Sequence, residues 1–118
     1  MAVDKQKWIE ALGRYEKNFG NFVPYKLDKE KGEYVLAKEN CACALGVYLI
    51  EVMGVPAAEI ARNRPYDWGK YFTMLEIEFG NEHTVREIWF INDETNYRDG
   101  KHLDETFDRV IEYIRFSL

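Results

Sequence analysis

Residues 41–50 form an unbroken apolar run, and only Glu51 interrupts it before Val52 and Met53. A helix that is apolar on every side must be surrounded by other parts of the chain. The sequence therefore predicts a buried central helix over residues 42–53. Gly54 is expected to end this helix in the left-handed conformation, which glycine adopts without steric cost.

A second helical pattern precedes the apolar run. Large apolar residues recur there at helical spacing: Trp8, Leu12, Tyr15 and Phe19. This spacing predicts a helix over residues 5–19. Asp4 is expected to cap its start and Gly20 its end.

The segments on either side of the central helix are more varied. Residues 22–36 contain two strand-like stretches around a loop that closes at Gly32, which predicts a β-hairpin. Pro56 predicts the start of a short helix. The residues from 62 to 69 have the composition of a loop, and residues 70–79 fit either a strand or a helix, with helix slightly favoured.

The last third of the chain predicts two further helices. Asn81 can cap a helix over residues 82–91, and a polar loop follows as far as Lys101. Asp104 or Thr106 can cap the final helix. Its apolar stripe consists of Leu103, Phe107, Val110, Ile111 and Ile114.

Length and composition fit one domain over residues 1–118. The chain is 47% hydrophobic, which is enough for one core at this length. We predict an α+β fold that is mostly helical. The first, penultimate and last helices are expected to wrap the central buried helix, and one β-hairpin is expected to cover an end.

The cellular setting follows from what the sequence contains. No apolar run approaches the roughly 18 residues that cross a bilayer, so no membrane association is expected. The two cysteines, Cys41 and Cys43, are too close in sequence to form a good disulfide, which predicts reduced thiols and a cytoplasmic protein. No cofactor motif is recognisable, so none is expected.

Charge is unevenly distributed along the chain. The formal net charge is −5, and residues 81–118 carry five basic and nine acidic groups. Direct nucleic-acid binding is not expected, because it requires a basic surface. An acidic face that includes Asp93, Glu94 and Asp99 could meet a basic protein, although a solvated face that aids solubility explains the same pattern.

Two arginines and two aromatic residues lie within seven positions, and they form the strongest binding motif of the sequence. These residues are Arg62, Arg64, Tyr66 and Trp68. Such a loop could bind a phosphate and stack on a base, or it could supply the hot spot of a protein interface. The alternative is an ordinary loop whose Tyr66 and Trp68 fold back onto the core.

Cys43 at the start of a buried helix resembles the placement of a catalytic cysteine, because a helix N-terminus lowers a thiol pKa. A base would be His83 or His102, oriented by Asn92 or Asp93. The neighbouring alanines instead favour a small thiol that packs in the core. A zinc site built on Cys41 and Cys43 has unsuitable spacing.

The acidic stretch that begins at Asn92 does not match a calcium-binding loop, because Tyr97 stands where that loop needs glycine. The pair Asn92 and Asp93 is better interpreted as a helix terminator, with Asp93 accepting hydrogen bonds from nearby amides.

Four segments together resemble a widespread family of small phage and prophage proteins. They are residues 8–12 (Trp-Ile-Glu-Ala-Leu), 43–47 (Cys-Ala-Leu-Gly-Val), 88–93 (Ile-Trp-Phe-Ile-Asn-Asp) and 106–114 at the closing helix. Cys43 matches the first cysteine of the family pattern, Ala44 replaces its second, and Cys41 is additional. Residues 54–80 have no counterpart.

This resemblance implies a phage-encoded accessory protein in a bacterial cytoplasm, but it supplies no reaction. The predicted function is non-enzymatic: the chain binds and blunts a host protein. Its small size, acidity and aromatic richness favour a protein of a bacterial defence system as the partner. Two alternatives remain open: sequestration of a nucleotide-like small molecule, and hydrolysis by Cys43.

Overall fold

The structure is a computed structural model that describes residues 3–93, 95–96, 101–102 and 106–118, with the backbone alone at 64–66, 95–96 and 101–102. Its fold is α+β and mostly helical, as the sequence predicts. In the described part of the chain the helices are α1 Lys5–Leu12, α2 Ala44–Val47, a π-helical segment Tyr48–Val52, α3 Ala57–Asp67, α4 Gly69–Phe79, α5 Glu82–Asn92 and α6 Asp108–Phe116.

Short strands complete the described architecture: β1 Glu16–Lys17, β2 Tyr25–Asp28, β3 Glu33–Leu36, β4 Cys41–Ala42, β5 Thr95–Asn96 and β6 Lys101–His102. Strands β2 and β3 form the predicted hairpin, with Tyr25 opposite Leu36. Gly32 closes its loop at a φ of 68°. Strands β1 and β4 pair in parallel, and β5 pairs with β6 in antiparallel fashion, so the described strands include more than the single predicted hairpin.

The central segment is buried as predicted, but it is not one regular helix. Cys41 and Ala42 pair with β1, so the helix begins only at Ala44. Its second half is π-helical, and the N–H of Met53 donates to the carbonyl of Tyr48 at 3.1 Å. Gly54 follows at a φ of 75°, in the expected left-handed conformation.

The first helix is shorter than predicted. It starts at the Asp4 cap, whose carboxylate accepts from the N–H of Lys7 at 3.0 Å, but it ends at Leu12. The chain then turns at Gly13, and the N–H of Glu16 donates to the carbonyl of Asn40 at 2.8 Å. Residues 13–19 therefore do not continue the helix despite their helical spacing, because their backbone pairs with the β4 region.

The predictions for the second half of the chain are mostly confirmed. Residues 70–79 are helical within α4, and Asn81 caps α5 through a 2.8 Å hydrogen bond from the N–H of His83. Thr106 accepts from the N–H of Asp108 at the start of α6. Leu103 and Asp104 lie outside the described residues.

One hydrophobic core surrounds the central segment. Helices α1 and α5 contact α2, α4 packs against α5, and α6 packs mainly against α5 and α1. Helix α3 covers the β2–β3 hairpin. A two-residue turn at Gly80 and Asn81 joins α4 to α5, and the two helices pack against each other.

Candidate functional site

The sequence motifs at Trp8, Cys43 and Asn92 meet at the start of the central helix. The indole N–H of Trp8 donates to the carbonyl of Ala44 at 2.9 Å. The side-chain oxygen of Asn92 accepts from the N–H of Ala44 at 2.9 Å, and its side-chain amide donates to the carbonyl of Asn18, also at 2.9 Å. Asn92 is only 1% exposed, so these bonds satisfy a buried amide and stabilise the fold.

Asp93 has a structural role beside Asn92. Its two carboxylate oxygens accept from the N–H of Gly20 at 2.9 and 3.0 Å, and one of them also accepts from the side-chain amide of Asn92 at 2.9 Å. The pair ends α5, as the sequence predicts. Through these bonds Asp93 holds the Gly20 loop in place.

Cys43 lies in surroundings that oppose a nucleophilic role. Burial raises the pKa of its thiol to about 12, despite a hydrogen bond from the N–H of Gly46 to Sγ at 3.3 Å. A thiolate nucleophile needs the opposite shift. The candidate base His83 is exposed at the start of α5, where its imidazole lies 3.9 Å from the Glu87 carboxylate. The side chain of His102 lies outside the described atoms.

The candidate zinc site is also unsupported by the geometry. Cys41 belongs to β4 and Cys43 caps α2. Within the described part of the chain, no group of three or more His, Cys, Asp or Glu side chains is placed to hold a metal ion.

The prediction that residues 62–69 form a loop is wrong. Residues 62–67 belong to α3. Trp68 is 3% exposed, and its indole N–H donates to the carbonyl of Ile60 at 2.8 Å, so it is a core residue and not a contact residue. Arg62 is exposed on α3. The side chains of Arg64 and Tyr66 lie outside the described atoms, as do Glu94 and Asp99 in full.

Aromatic side chains gather around the buried Phe22. The ring centroid of Phe22 lies 4.9 Å from that of Phe72, 5.1 Å from that of Trp68 and 5.3 Å from that of Trp89. Trp68 is fully enclosed, whereas Phe72 and Trp89 are only half-buried. Their rings lie 5.2 Å apart. The aromatic core therefore reaches the surface between α4 and α5.

A cleft of about 490 Å³ opens at this point. Its lining consists of Phe72, Arg86, Trp89, Phe90 and Asp93, and we call it the aromatic cleft. Phe90 contributes a 59% exposed aromatic ring to this lining. The aromatic cleft is therefore the candidate binding site of the described residues.

Arg86 supplies a positive charge at the rim of the aromatic cleft. Its side chain is 76% exposed and forms an ion pair with Glu82, one helical turn earlier. Arg86, Trp89 and Phe90 stand at i, i+3 and i+4, which places a guanidinium and two rings on one wall. This group was not predicted from the sequence, although its spacing is visible there.

Comparison with known proteins adds no identification: no family model, curated protein or solved structure matches the chain. Among the helices that the structure describes, none has both the length and the apolar character needed to cross a bilayer.

Proposed function

We propose that this chain is a non-enzymatic binding protein and that the aromatic cleft is its contact surface for a protein partner. The observation that carries the proposal is the exposed aromatic wall formed by Trp89 and Phe90, with Arg86 beside it. Tryptophan and arginine dominate interface hot spots, because each combines a large contact area with directional hydrogen bonding.

The shape of the aromatic cleft favours a protein over a small molecule. Pockets for small molecules bury most of the ligand surface between enclosing walls. Here Phe90 and Arg86 themselves face solvent, so a small ligand would keep much of its surface in water. A protein partner docked over the aromatic cleft would cover both residues.

The resemblance to small phage and prophage proteins supports a more specific proposal. The partner would be a bacterial host protein in the cytoplasm, with a defence protein as the leading candidate. The aromatic cleft replaces the segment at residues 62–68 as the proposed contact surface, because Trp68 is enclosed in the core.

Capture from a bacterial lysate tests this proposal when it is done with matched variants. We expect the immobilised wild-type chain to retain a specific host protein, and Phe90→Ala to weaken its binding by at least ~2 kcal/mol. Ile77→Ala is the control, because Ile77 is 77% exposed on α4 but does not line the aromatic cleft. Equal retention by wild type and by the Phe90 and Trp89 alanine variants would reject the aromatic cleft as the contact surface.

A nucleotide-like small molecule remains the second candidate, favoured by flat rings beside a guanidinium. Base stacking on aromatic side chains and arginine binding of phosphate use these same groups. A thermal-shift panel of nucleotides separates the two candidates, because a ligand at a hundred times its Kd stabilises the folded chain by about 2.7 kcal/mol. Stabilisation that is lost in Phe90→Ala would favour the nucleotide.

A further inference from the structure

The two charged side chains that line the aromatic cleft differ in how their charges are neutralised. Arg86 has Glu82 as its ionic partner, so that pair carries no net charge. Asp93 accepts its hydrogen bonds from uncharged groups, the N–H of Gly20 and the side-chain amide of Asn92. No ion pair among the described residues includes Asp93, so its negative charge has no counterion there. The uncompensated charge in the lining of the aromatic cleft is therefore negative.

The two helices that hold the aromatic cleft add to this negative charge. Helices α4 and α5, together with Asp93, carry more carboxylates than cations. The carboxylates are Glu76, Glu78, Glu82, Glu87 and Asp93, and the cations are Lys70 and Arg86. A field of one sign raises the rate at which groups of the opposite sign arrive. The surroundings of the aromatic cleft therefore favour a cation over an anion.

The aromatic rings can bind a cation directly. The face of a ring carries partial negative charge, which attracts an ammonium or guanidinium group within about 6 Å of its centre. Phe72 and Trp89 are half-buried with their planes inclined at 57°, and Phe90 is 59% exposed. The cation–π contacts described in the chain use rings outside the aromatic cleft, at Phe19 and Tyr71. The rings of the aromatic cleft are therefore open to a cation from a partner.

We propose that the partner protein inserts an arginine or lysine side chain into the aromatic cleft, where the rings and the Asp93 carboxylate bind its positive charge. This inference rests on the proposed function and specifies the chemistry of the partner. A carboxylate has roughly four lone-pair positions. The three hydrogen bonds at Asp93 leave one position for an N–H of the inserted side chain. The aliphatic stem of that side chain would pack on the exposed ring of Phe90.

Arg86 is the lining residue, among those the structure describes, that opposes a cation. Its side chain is 76% exposed and that of its partner Glu82 is 55% exposed. The repulsion from Arg86 is therefore offset by Glu82 and also screened by water and salt. Asp93 and the rings act at contact distance, where docking excludes water and strengthens their attraction. The attraction at the aromatic cleft therefore exceeds the repulsion.

Four pools of fluorescein-labelled 12-residue peptides test the inference. Each pool has one fixed central residue, which is arginine, lysine, citrulline or glutamate, and uncharged mixed residues around it. Citrulline is the matched control, because it has nearly the shape of arginine without its charge. Anisotropy gives the affinity of each pool, and the NMR shift of the Trp89 indole N–H reports the site. We expect the arginine and lysine pools to shift this signal and to bind at least ~5-fold more tightly than the citrulline pool.

Substitutions at exposed positions of α5 then separate the contributions of charge and ring. Glu82→Gln should weaken binding of the arginine pool by about 3-fold, because Arg86 loses its counterion, and Arg86→Gln should strengthen it by a similar factor. Phe90→Leu should weaken it by about 3-fold, because leucine keeps an apolar side chain but removes the ring face. Glu112→Gln and Arg115→Gln are the controls, because they make the same charge changes on α6 outside the aromatic cleft.

Equal affinity of the arginine and citrulline pools would overturn the inference, as would tightest binding of the glutamate pool. Reversed signs for the two charge substitutions, or unchanged affinity in Phe90→Leu, would also overturn it. Each of these results leaves the aromatic cleft as a contact surface if the Trp89 signal shifts. If no pool shifts that signal, the inference fails, and the lysate capture with Phe90→Ala decides the proposed function separately.

Discussion

Gly46 shows how a single residue sets the distance between two parts of the core. A Cβ at this position would lie 2.3 Å from the carbonyl oxygen of Phe22, which is backbone and cannot move aside easily. The same carbonyl accepts from the N–H of Cys43 at 2.9 Å. Only glycine therefore allows the central helix to approach the Phe22 backbone so closely.

We expect Gly46→Ala to lower the free energy of unfolding by about 1–3 kcal/mol, because a methyl group would overpack this contact. Gly69→Ala is the matched control, since a Cβ there meets nothing within 4 Å and the residue lies in α4. Its effect should be neutral or stabilising. Urea denaturation of both variants measures the difference, and equal stability would contradict the close approach.

The Cys43 thiol predicts a specific pH dependence. Burial raises its pKa to about 12, whereas an unfolded thiol titrates at about 8.5. Between these values the unfolded chain loses a proton that the folded chain keeps, so stability falls as the pH rises. The loss can reach about 1.4 kcal/mol per pH unit for this one group.

Cys43→Ala should therefore lose less stability between pH 8 and pH 10 than the wild type does. Burial also raises the pKa of Tyr48, so some alkaline loss should remain in the variant. Denaturation curves at the two pH values give the comparison. A parallel loss in wild type and variant would show that Cys43 does not titrate as its burial requires.

At the scale of elements, Trp68 joins α3 to α4. Its ring packs 5.1 Å from that of Phe22, and its indole N–H bonds the carbonyl of Ile60 in α3. We expect Trp68→Ala to cost about 3–5 kcal/mol of stability. The exposed Ile77→Ala should stay within about 0.5 kcal/mol of wild type. A loss below ~1 kcal/mol for Trp68→Ala would place Trp68 outside the core.

The same region shows why the sequence misleads at this element. Pro65 and its polar neighbours are typical of a loop, since proline removes a helical hydrogen bond. The observed helix α3 nevertheless continues to Asp67. Packing of the buried Trp68 against Phe22 stabilises this extension of α3. That stabilisation depends on a residue more than forty positions away in the sequence. Local propensity cannot report such a contact.

At the scale of the whole molecule, periodicity predicted the elements whose hydrogen bonds are local. The β2–β3 hairpin, α4, α5 and the Asn81 cap all follow from neighbouring residues. Periodicity failed where distant backbone groups pair, as at residues 13–19, which meet the β4 region. The aromatic cleft was also beyond prediction, because exposure of Phe90 depends on how α4 packs against α5.

The cap on Ala44 has a consequence for synthesis on the ribosome. The amide that opens the central helix is bonded by Asn92, which is 48 residues later in the chain. At typical ribosomal elongation rates that interval lasts roughly 2–10 s. During this time the most apolar stretch of the nascent chain lacks the side chain that completes its first turn. Chaperones that bind emerging apolar segments would therefore meet residues 41–50 before the fold can close over them.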